Sequence, residues 1–322
     1  MSAFEMTKHI VTTALAAISF AGYGHLKNPA YLDARRNGTE TKIVLKVVDD
    51  MGDVVSNASI KVFMGMNFRP KGYWINGKTD EEGTFVLNGK TCGDEIEIFA
   101  AKEGFYNSRT KLCFAEMGAE HEVAGGKWLP YGATETLLLR RIHNPVALQR
   151  FGFGAGRDVP ATNTWIGIDM ACADFVKPYG KGERTDFEVM VEWDGCPPVD
   201  SNYCVASMRF VGQLTGGYYA PIVRDSDYPY VYEANGKTGY NIRYIMVVGR
   251  GTARQDKISQ LGKDVVLVTR TRCVLDANGN LESACYGYIH IFDADAGWDG
   301  RPTMRLGCVF NPTPNDTNLE PK

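Results

Sequence analysis

Hydrophobic and polar residues alternate with a period of two over several short stretches near the start of the chain. Residues 42–48 place Ile43, Leu45 and Val47 on one face, and residues 95–100 alternate acidic with apolar side chains. Alternation over four to eight residues is typical of a half-buried β-strand. Clusters of Gly, Asp and Asn separate these stretches, as turns do between strands. The pattern therefore predicts a small β-sandwich over residues 41–115.

The same period continues in the second half of the chain. Asp186–Trp193 alternates strictly and predicts a strand with its apolar side chains turned inward. Two further runs, Asp264–Leu275 and Leu281–Phe292, flank the turn-forming segment Asp276–Asn280 and predict a β-hairpin. Beyond an N-terminal run, no stretch longer than about ten residues keeps a helical period. A second antiparallel domain, either a β-sandwich or a barrel-like fold, is therefore expected over residues 128–322.

The N-terminal strands and turns carry a family resemblance. The stretches VVDDMGDVVSNASIKVF, TDEEGTFVL and AAKEGFYNS follow one another in that order. They resemble the transthyretin-like, or carboxypeptidase regulatory-like, β-sandwich of secreted bacterial proteins. The resemblance implies an Ig-like or prealbumin-like sandwich that serves as a spacer, an accessory domain or a carbohydrate-binding module, and it implies no catalytic residue. The C-terminal stretch RCVLDANGNLESACYGYI is similar to secreted bacterial proteins that carry the same kind of N-terminal domain.

Length and charge restrict the classes of function. A chain of 322 residues is long enough for two domains with separate cores. The formal net charge of −3 lacks the basic footprint of a nucleic-acid-binding protein, so nucleic acid is not an expected partner. A linker is expected over residues 116–127, which are rich in Gly, Ala and Glu.

The N-terminus reads as a secretory signal peptide over residues 1–24, followed by a linker over residues 25–40. Lys8 supplies positive charge, Ile10–Phe20 is apolar, and small residues offer cleavage after Ala21 or Gly24. The apolar run is shorter than the roughly 20 residues that a membrane-spanning helix needs. An ordinary buried N-terminal helix is the alternative. The protein is expected to be secreted, periplasmic or at the cell surface, with no transmembrane span.

Eight cysteines fit an oxidising compartment, and none forms a C-x-x-C motif. The disulfide candidates are Cys92, Cys113, Cys172, Cys196, Cys204, Cys273, Cys285 and Cys308. Cys92 with Cys113 would close a loop inside the first sandwich, worth about 3 kcal/mol by loop-closure entropy. Cys196 with Cys204, which flank a Pro-Pro pair, is a second expected pairing.

The predicted hairpin allows a finer expectation for two of these cysteines. In an alternating strand Cys273 shares a face with Val265 and Leu267, and Cys285 shares a face with Ile289. Both thiols are therefore expected to point into the core. A two-residue turn would place residue 284 opposite Cys273, and a bulged three-residue loop would place residue 283 there. Cys308 and Cys172 therefore stay open as alternative partners.

Motifs that would carry catalysis or bind a cofactor are weak. Gly72–Thr79 matches the P-loop pattern, but three acidic residues and a predicted strand follow it where a P-loop has a helix. The histidines are scattered and no serine-hydrolase elbow occurs. The sequence therefore predicts no catalytic residue, no metal site and no cofactor. A glycoside hydrolase or esterase is the least favoured reading.

Tyrosines are concentrated in one segment of the second half of the chain. Their flat apolar rings with a polar tip suit stacking on sugars or contacts with proteins, although packing in a core explains them equally well. A smaller aromatic group near Tyr73 and Trp74 has the same two interpretations, a binding surface or packing in a core. The predicted binding residues are Tyr218, Tyr219, Tyr228, Tyr230, Tyr232, Asp225 and Asp227.

Together these patterns predict a secreted or cell-surface protein that is not an enzyme and has an accessory or structural role. The expected partner is an extracellular protein, and the alternative is a glycan bound by the tyrosine-rich surface. A homo-oligomer is compatible with the sequence.

Overall fold

The computed structural model describes residues 29–65, 72–114, 123–153, 156–193, 203–236, 238–250, 258–259, 264–296 and 301–322. The expected signal peptide lies outside these residues. The chain forms two compact units. The first consists of the chain through Ile142 together with Asp225–Tyr228, and the second consists of His143–Arg224 and Pro229–Lys322.

The fold is predominantly β, which confirms the predicted class. Among the described residues a single short helix, α1 (Pro29–Asn37), precedes the strands. No helix in the described part of the chain is long and apolar enough to cross a membrane.

The first unit is a sandwich of two sheets. Its strands are β1 (Thr39–Val48), β2 (Ser59–Met64), β3 (Tyr73–Lys78), β4 (Thr84–Thr91), β5 (Glu95–Ala101), β6 (Ser108–Cys113), β7 (Val123–Ala124), β8 (Lys127–Trp128) and β9 (Ala133–Leu138). One sheet, here called the β1 sheet, has the order β4-β1-β8-β7, with β9 also paired to β1. The other, here called the groove sheet, has the order β3-β2-β5-β6.

Alternation in the sequence decides which side of each sheet is buried. In β1, Ile43, Leu45 and Val47 are fully buried, as the pattern predicts. In β2, Ile60 and Val62 face the same core. Each fully buried aliphatic side chain contributes about 1.5–3 kcal/mol to stability, so this shared interior holds the two sheets together.

The first unit extends further along the chain than the expected boundary at residues 116–127. Strand β9 pairs in parallel with β1 over six positions, from Ile43 opposite Ala133 to Val48 opposite Leu138. Leu137 and Leu139 are buried in the first unit's core. The apolar run after residue 133 therefore completes the first sandwich instead of starting the second.

The second unit is built from twelve strands among its described residues. They are β10 (Gln149–Gly152), β11 (Arg157–Asp158), β12 (Ile166–Asp169), β13 (Asp174–Phe175), β14 (Phe187–Glu192), β15 (Tyr203–Arg209), β16 (Gly216–Pro221), β17 (Tyr244–Arg250), β18 (Ile258–Ser259), β19 (Val265–Leu275), β20 (Leu281–Ala296) and β21 (Pro302–Asn311). Every pairing between these strands is antiparallel.

These strands form two sheets with a core between them. The β14 sheet has the order β13-β12-β14-β15-β17-β18, and the β20 sheet has the order β10-β21-β20-β19-β16 with β11 beside β21. Phe187 and Val191 of the first sheet share one hydrophobic cluster with Leu267, Ile289 and Phe310 of the second. The second unit is therefore a sandwich, the first of the two predicted forms.

A second cluster covers the opposite face of the β20 sheet. It contains Tyr286 and Tyr288 of β20 and Tyr240 from the tyrosine-rich segment, with Tyr230 partly buried against them. Leu319 of the C-terminal segment closes the same cluster. Both faces of this sheet are therefore covered, which explains why the sequence of β19 and β20 is apolar in both phases.

The hairpin between β19 and β20 differs from the predicted register. Thr271 lies opposite Cys285 and Val274 lies opposite Ser283, with a bulge between Thr271 and Val274 that contains Cys273. The extra residue reverses the alternation, so Cys273 lies against the tyrosine cluster while Cys285 lies in the core between the sheets. The expectation that both thiols point into one core was wrong for this reason.

The expected disulfides are not formed where the structure describes both cysteines. Cys113, Cys172, Cys273, Cys285 and Cys308 are free thiols. Cys113 ends β6 opposite Glu95 in the groove sheet, whereas the sulfur of Cys92 is 3.8 Å from the carbonyl oxygen of Arg36.

Two cysteines complete this account. Cys204 is buried in the core of the second unit. Its expected partner, Cys196, lies outside the described residues, so this pairing stays a prediction.

Candidate binding groove on the first unit

The outer face of the groove sheet carries side chains that an ordinary solvent-facing sheet does not have. In β2 the buried residues Ile60 and Val62 alternate with Lys61 and Phe63, which point away from the core. In β5 the buried Ile98 is followed by the outward Phe99. Aromatic rings thus occupy outward-facing positions of two neighbouring strands, where a solvent-facing sheet usually carries polar side chains.

Strand register gathers these outward side chains into rows that run across the sheet. Asn76 lies opposite Lys61, Lys61 lies opposite Phe99, and Phe99 lies opposite Arg109. Directly opposite residues share a face and stand about 4.5–5.5 Å apart, so this row is continuous over four strands. A second row places Trp74 opposite Phe63.

Trp74 is the centre of the aromatic surface. Its ring centroid lies 5.1 Å from that of Phe63 and 5.6 Å from that of Phe99, in tilted arrangements. It nevertheless keeps 49% of its surface exposed, which is a large apolar area for a side chain on the polar side of a sheet. The guanidinium of Arg109 lies 5.1 Å from the Phe99 ring centroid and extends this surface by a cation–π contact.

A short segment from later in the chain closes one end of this surface. Asp225–Tyr228 is bound to the start of β6 around one bridge, between Ser108 and Ser226. The Arg109 amide donates to the Asp225 carbonyl at 2.7 Å, and the Asp227 amide donates to the Asn107 carbonyl at 2.9 Å. The Thr110 hydroxyl donates to the Asp225 carboxylate at 2.8 Å, so this added segment is held against the edge of the sheet.

The result is an open groove of about 720 Å³. That volume is in the range of pockets that hold small ligands. Aromatic rings form part of its wall, and amides, a carboxylate and two cations supply the polar part. Its side chains include Trp74, Phe99, Lys61, Asn76, Asn107, Arg109 and Asp227.

Charges on this face are distributed unevenly. The Arg109 guanidinium is paired with Glu97, with its Nε 3.1 Å from the carboxylate, and Lys111 is 2.7 Å from Glu95. The hydrogen bond and charge of Glu95 raise the pKa of Lys111, which keeps that ammonium protonated. Lys61 is exposed and forms no ion pair within the described part of the chain.

The binding residues that the sequence predicts in the tyrosine-rich segment are divided between the two units. Asp225 and Asp227 lie on the first unit with Tyr228, which is 3% exposed because it packs on the Tyr106 ring at 5.1 Å and under the guanidinium of Arg140. Tyr228 therefore anchors the segment by packing into the first unit. Of these three residues only Asp227 lines the groove.

The other predicted tyrosines belong to the second unit and are largely packed. Tyr230 lies 4.6 Å from the ring of Tyr288, and Tyr232 stacks on His143 at 4.3 Å. The Tyr218 hydroxyl accepts the Asn235 amide at 3.1 Å. Tyr219 is the exposed one, at 38%. The structure thus places most of this segment over the β20 sheet as cover.

A buried ion network in the second unit is the other concentration of charge. Arg272, in the β19 bulge with φ of 54°, lies 2.7 Å from Asp169 and 2.8 Å from the fully buried Asp186. Burial alone would raise the pKa of Asp169, but the amides of Glu183 and Arg184 and the charge of Arg272 lower it. Arg272 of β19 thus forms ion pairs with Asp169 of β12 and with Asp186 just before β14, so the network joins the two sheets.

Metal ligands are not grouped in the described residues. No set of three or more His, Cys, Asp or Glu side chains there is arranged to hold a metal ion.

Of the side chains that line the groove, the sequence singles out Trp74 and Asp227 as candidates. It does not single out Lys61, Phe99 or Arg109. The signal for Phe99 was present: it occupies the acidic phase of the alternating stretch Glu95–Ala100, where a solvent-facing strand would carry a polar residue. Lys61 and Arg109 become informative only once strand register places them on either side of that ring.

Comparisons with known proteins give partial matches to solved structures. No protein-family model matches the chain, and no curated protein matches it. Solved structures that match part of the chain include 3-chlorocatechol 1,2-dioxygenase from Rhodococcus opacus 1CP, at 14% identity and a TM-score of 0.26, where the match covers 33% of this chain and 62% of that one.

Two more solved structures give the same picture. Catechol 1,2-dioxygenase from Acinetobacter sp. ADP1 is 12% identical with a TM-score of 0.25, over 33% of this chain and 54% of that one. Hydroxyquinol 1,2-dioxygenase from Pseudomonas putida DLL-E4 is 14% identical with a TM-score of 0.24, over 33% of this chain and 58% of that one. The chain thus spans less than two thirds of these enzymes.

These neighbours are enzymes, and they contradict the prediction that the chain is not one. That prediction was based on the lack of catalytic motifs in the sequence. Missing motifs do not exclude an active site, because its residues converge from distant parts of a fold. The likeness covers a third of the chain at low identity, so it carries no reaction, substrate or cofactor to this protein.

Proposed function

We propose that the first unit binds a glycan along the groove sheet. The single observation that carries this proposal is the exposed Trp74 ring, supported by Phe63 and Phe99 and bordered by amide, carboxylate and ammonium groups. A sugar ring has apolar faces and a rim of hydroxyls, so it matches a surface that combines flat rings with hydrogen-bonding side chains.

The groove has the polar groups that such a ligand needs. Asn76 and Asn107 each offer one amide acceptor and two donors, and Asp227 offers an acceptor for hydroxyls. They stand on β3, after β5 and on the added segment, so contacts are available across the whole width of the sheet. An open groove of this kind fits a chain of sugars better than a single small molecule enclosed on all sides.

The wider proposal keeps two expectations from the sequence. The two-sheet arrangement of the first unit supports a transthyretin-like module, which in secreted proteins includes carbohydrate-binding members. Export through the N-terminal segment also remains a prediction, and N-terminal sequencing of the mature protein from its native host would test it.

A glycan array with the full-length chain tests the binding proposal directly. Wild-type protein should be retained by at least one class of polysaccharide, and Trp74→Ala should weaken that retention by about thirtyfold, the loss typical of a central aromatic contact. Tyr131→Ala is the matched control, because Tyr131 is a similarly exposed aromatic at 38% that follows β8 of the other sheet.

Two results would contradict the proposal. One is a wild-type protein that no glycan class retains. The other is retention that Trp74→Ala and Tyr131→Ala weaken equally, since binding would then not depend on the groove.

A further inference from the structure

The groove contains a cation that the protein itself does not neutralise. Lys61 stands in the middle of the row Asn76, Lys61, Phe99, Arg109, and it is exposed. The two other cations near the centre of this face, Arg109 and Lys111, each have a carboxylate partner. Lys61 has none among the described residues.

Arg109 adds capacity for an anion on the other side of the same ring. Its Nε and one terminal nitrogen donate to Glu97, and the other terminal nitrogen makes no hydrogen bond in the described structure. A guanidinium has five N–H donors in a planar fork and two are used here, so three stay available, two of them on that free nitrogen. Lys61 and Arg109 flank the strand of Phe99, about 10 Å apart across two strand spacings.

The carboxylate that lines the groove, Asp227, has no ion pair among the described residues and lies at the far end. Asp227 is on the segment added beyond β6, three strand spacings from Lys61, or about 14 Å. That separation exceeds the Debye length of about 10 Å at 0.1 M salt, so Asp227 does little to offset the charge of Lys61. Because Glu97 pairs with Arg109, Lys61 is the unpaired charge beside Phe99 and Asp227 is the unpaired charge at the β6 end of the groove.

We infer that the groove prefers an anionic glycan, with an acidic group of the sugar beside Lys61 and a neighbouring ring on Trp74. This inference rests on the proposed function and specifies its ligand class. The shared chemistry is a sugar that carries a carboxylate or a sulfate, and hydroxyls of the same chain reach Asp227.

Matched polysaccharides and variants of Lys61 test the inference. The probes are two matched pairs: a sulfated galactan with the same galactan after desulfation, and oligogalacturonate with its methyl ester. Binding by the full-length chain is measured by calorimetry at 0.05 M and 0.5 M NaCl. At least one acidic form should bind more tightly than its own neutral form, and the difference should shrink at high salt because screening weakens exposed charge pairs.

Lys61→Gln should weaken binding of the acidic form about fivefold, the size of an exposed ion pair, and leave binding of its neutral form unchanged. Lys61→Arg should retain most of the acidic binding. Lys46→Gln is the matched control, because Lys46 is an exposed lysine on β1 of the other sheet.

The outcomes separate this inference from the proposed function. If acidic and neutral forms bind equally and Lys61→Gln changes neither, the anionic preference is overturned while glycan binding stands. If wild-type protein binds none of these probes or any other glycan class, the proposed function fails and the inference fails with it.

Discussion

Two groups of aromatic side chains in this protein look alike in sequence and differ in what covers them. In the first unit, Trp74 and Phe99 stand on the outer face of the groove sheet with solvent above them. In the second unit, Tyr230 and Tyr240 lie over one face of the β20 sheet and pack against the rings of Tyr288 and Tyr286 on that face. The same kind of ring is a binding surface in one place and part of a core in the other.

The difference arises from the sheet beneath each group. The two central strands of the groove sheet, β2 and β5, alternate strictly, so one face holds the core and the other is left to solvent. Strands β19 and β20 are apolar in both phases, and a sheet of that kind needs a cover on each face. The tyrosine-rich segment supplies the second cover, so its rings stabilise the fold by packing on the sheet.

The largest expected effect comes from removing a covered ring. Tyr288→Ala should lower the free energy of unfolding by about 3–5 kcal/mol, because Tyr288 is 2% exposed and its loss leaves a cavity. Urea denaturation followed by tyrosine and tryptophan fluorescence measures the change. Tyr219→Ala, which removes an exposed ring nearby, should cost less than about 1 kcal/mol. Equal effects would show that the two rings are covered alike.

An intermediate effect is expected from the buried ion network of Arg272 in the second unit. Asp169→Asn should cost about 1–3 kcal/mol at neutral pH, since it removes a charged acceptor from three amides and from Arg272. Thermal unfolding at fixed protein concentration measures this loss.

The network also predicts a pH dependence. The pKa of Asp169 is lowered below 3.8, its ordinary value, in the folded protein. A carboxyl whose pKa is lower in the folded state stabilises the fold above the unfolded value and loses that contribution as pH falls through the folded value. Stability should therefore decline from about pH 5 downward, and Asp169→Asn should flatten this decline. An unchanged slope in the variant would contradict the assignment.

The smallest expected effect lies in the groove itself. Trp74→Ala should change the free energy of unfolding by about 1 kcal/mol or less, because its ring is half exposed and covers only two neighbours. The same denaturation experiment measures it. A loss as large as that of Tyr288→Ala would mean that Trp74 belongs to the core, and the comparison between the two groups would fail.

Much of the fold could be predicted from the sequence, because a period of two reports directly on burial. Ile43, Phe187 and Val191 lie where alternation places them. The path of the chain between sheets could not be predicted in the same way. Nothing local indicates that residues 133–138 pair in parallel with β1, or that one extra residue at Cys273 reverses the faces of β19. Such features depend on contacts between distant segments.

The candidate site was predictable only in part for a related reason. A single aromatic residue in the polar phase, such as Phe99, is a local signal. Its meaning depends on Lys61 and Arg109, which register places on either side of it. The prediction chose the tyrosine-rich segment because it is dense in sequence, whereas the groove assembles side chains from four strands and a distant segment.

The added segment Asp225–Tyr228 makes the first unit discontinuous, and this affects how the protein is made. Arg140 is 5% exposed and donates at 2.7 Å to the carbonyl of Tyr228, which is 88 residues further along the chain. At roughly 5–20 residues per second, a ribosome needs several seconds to supply that acceptor. Until then the nascent N-terminal sandwich holds Arg140 by its ion pair with Asp50 at 3.1 Å, and the start of the β6 edge lacks the bridge that Ser226 makes to Ser108. A truncated product that stops after Ile142 would never leave that state.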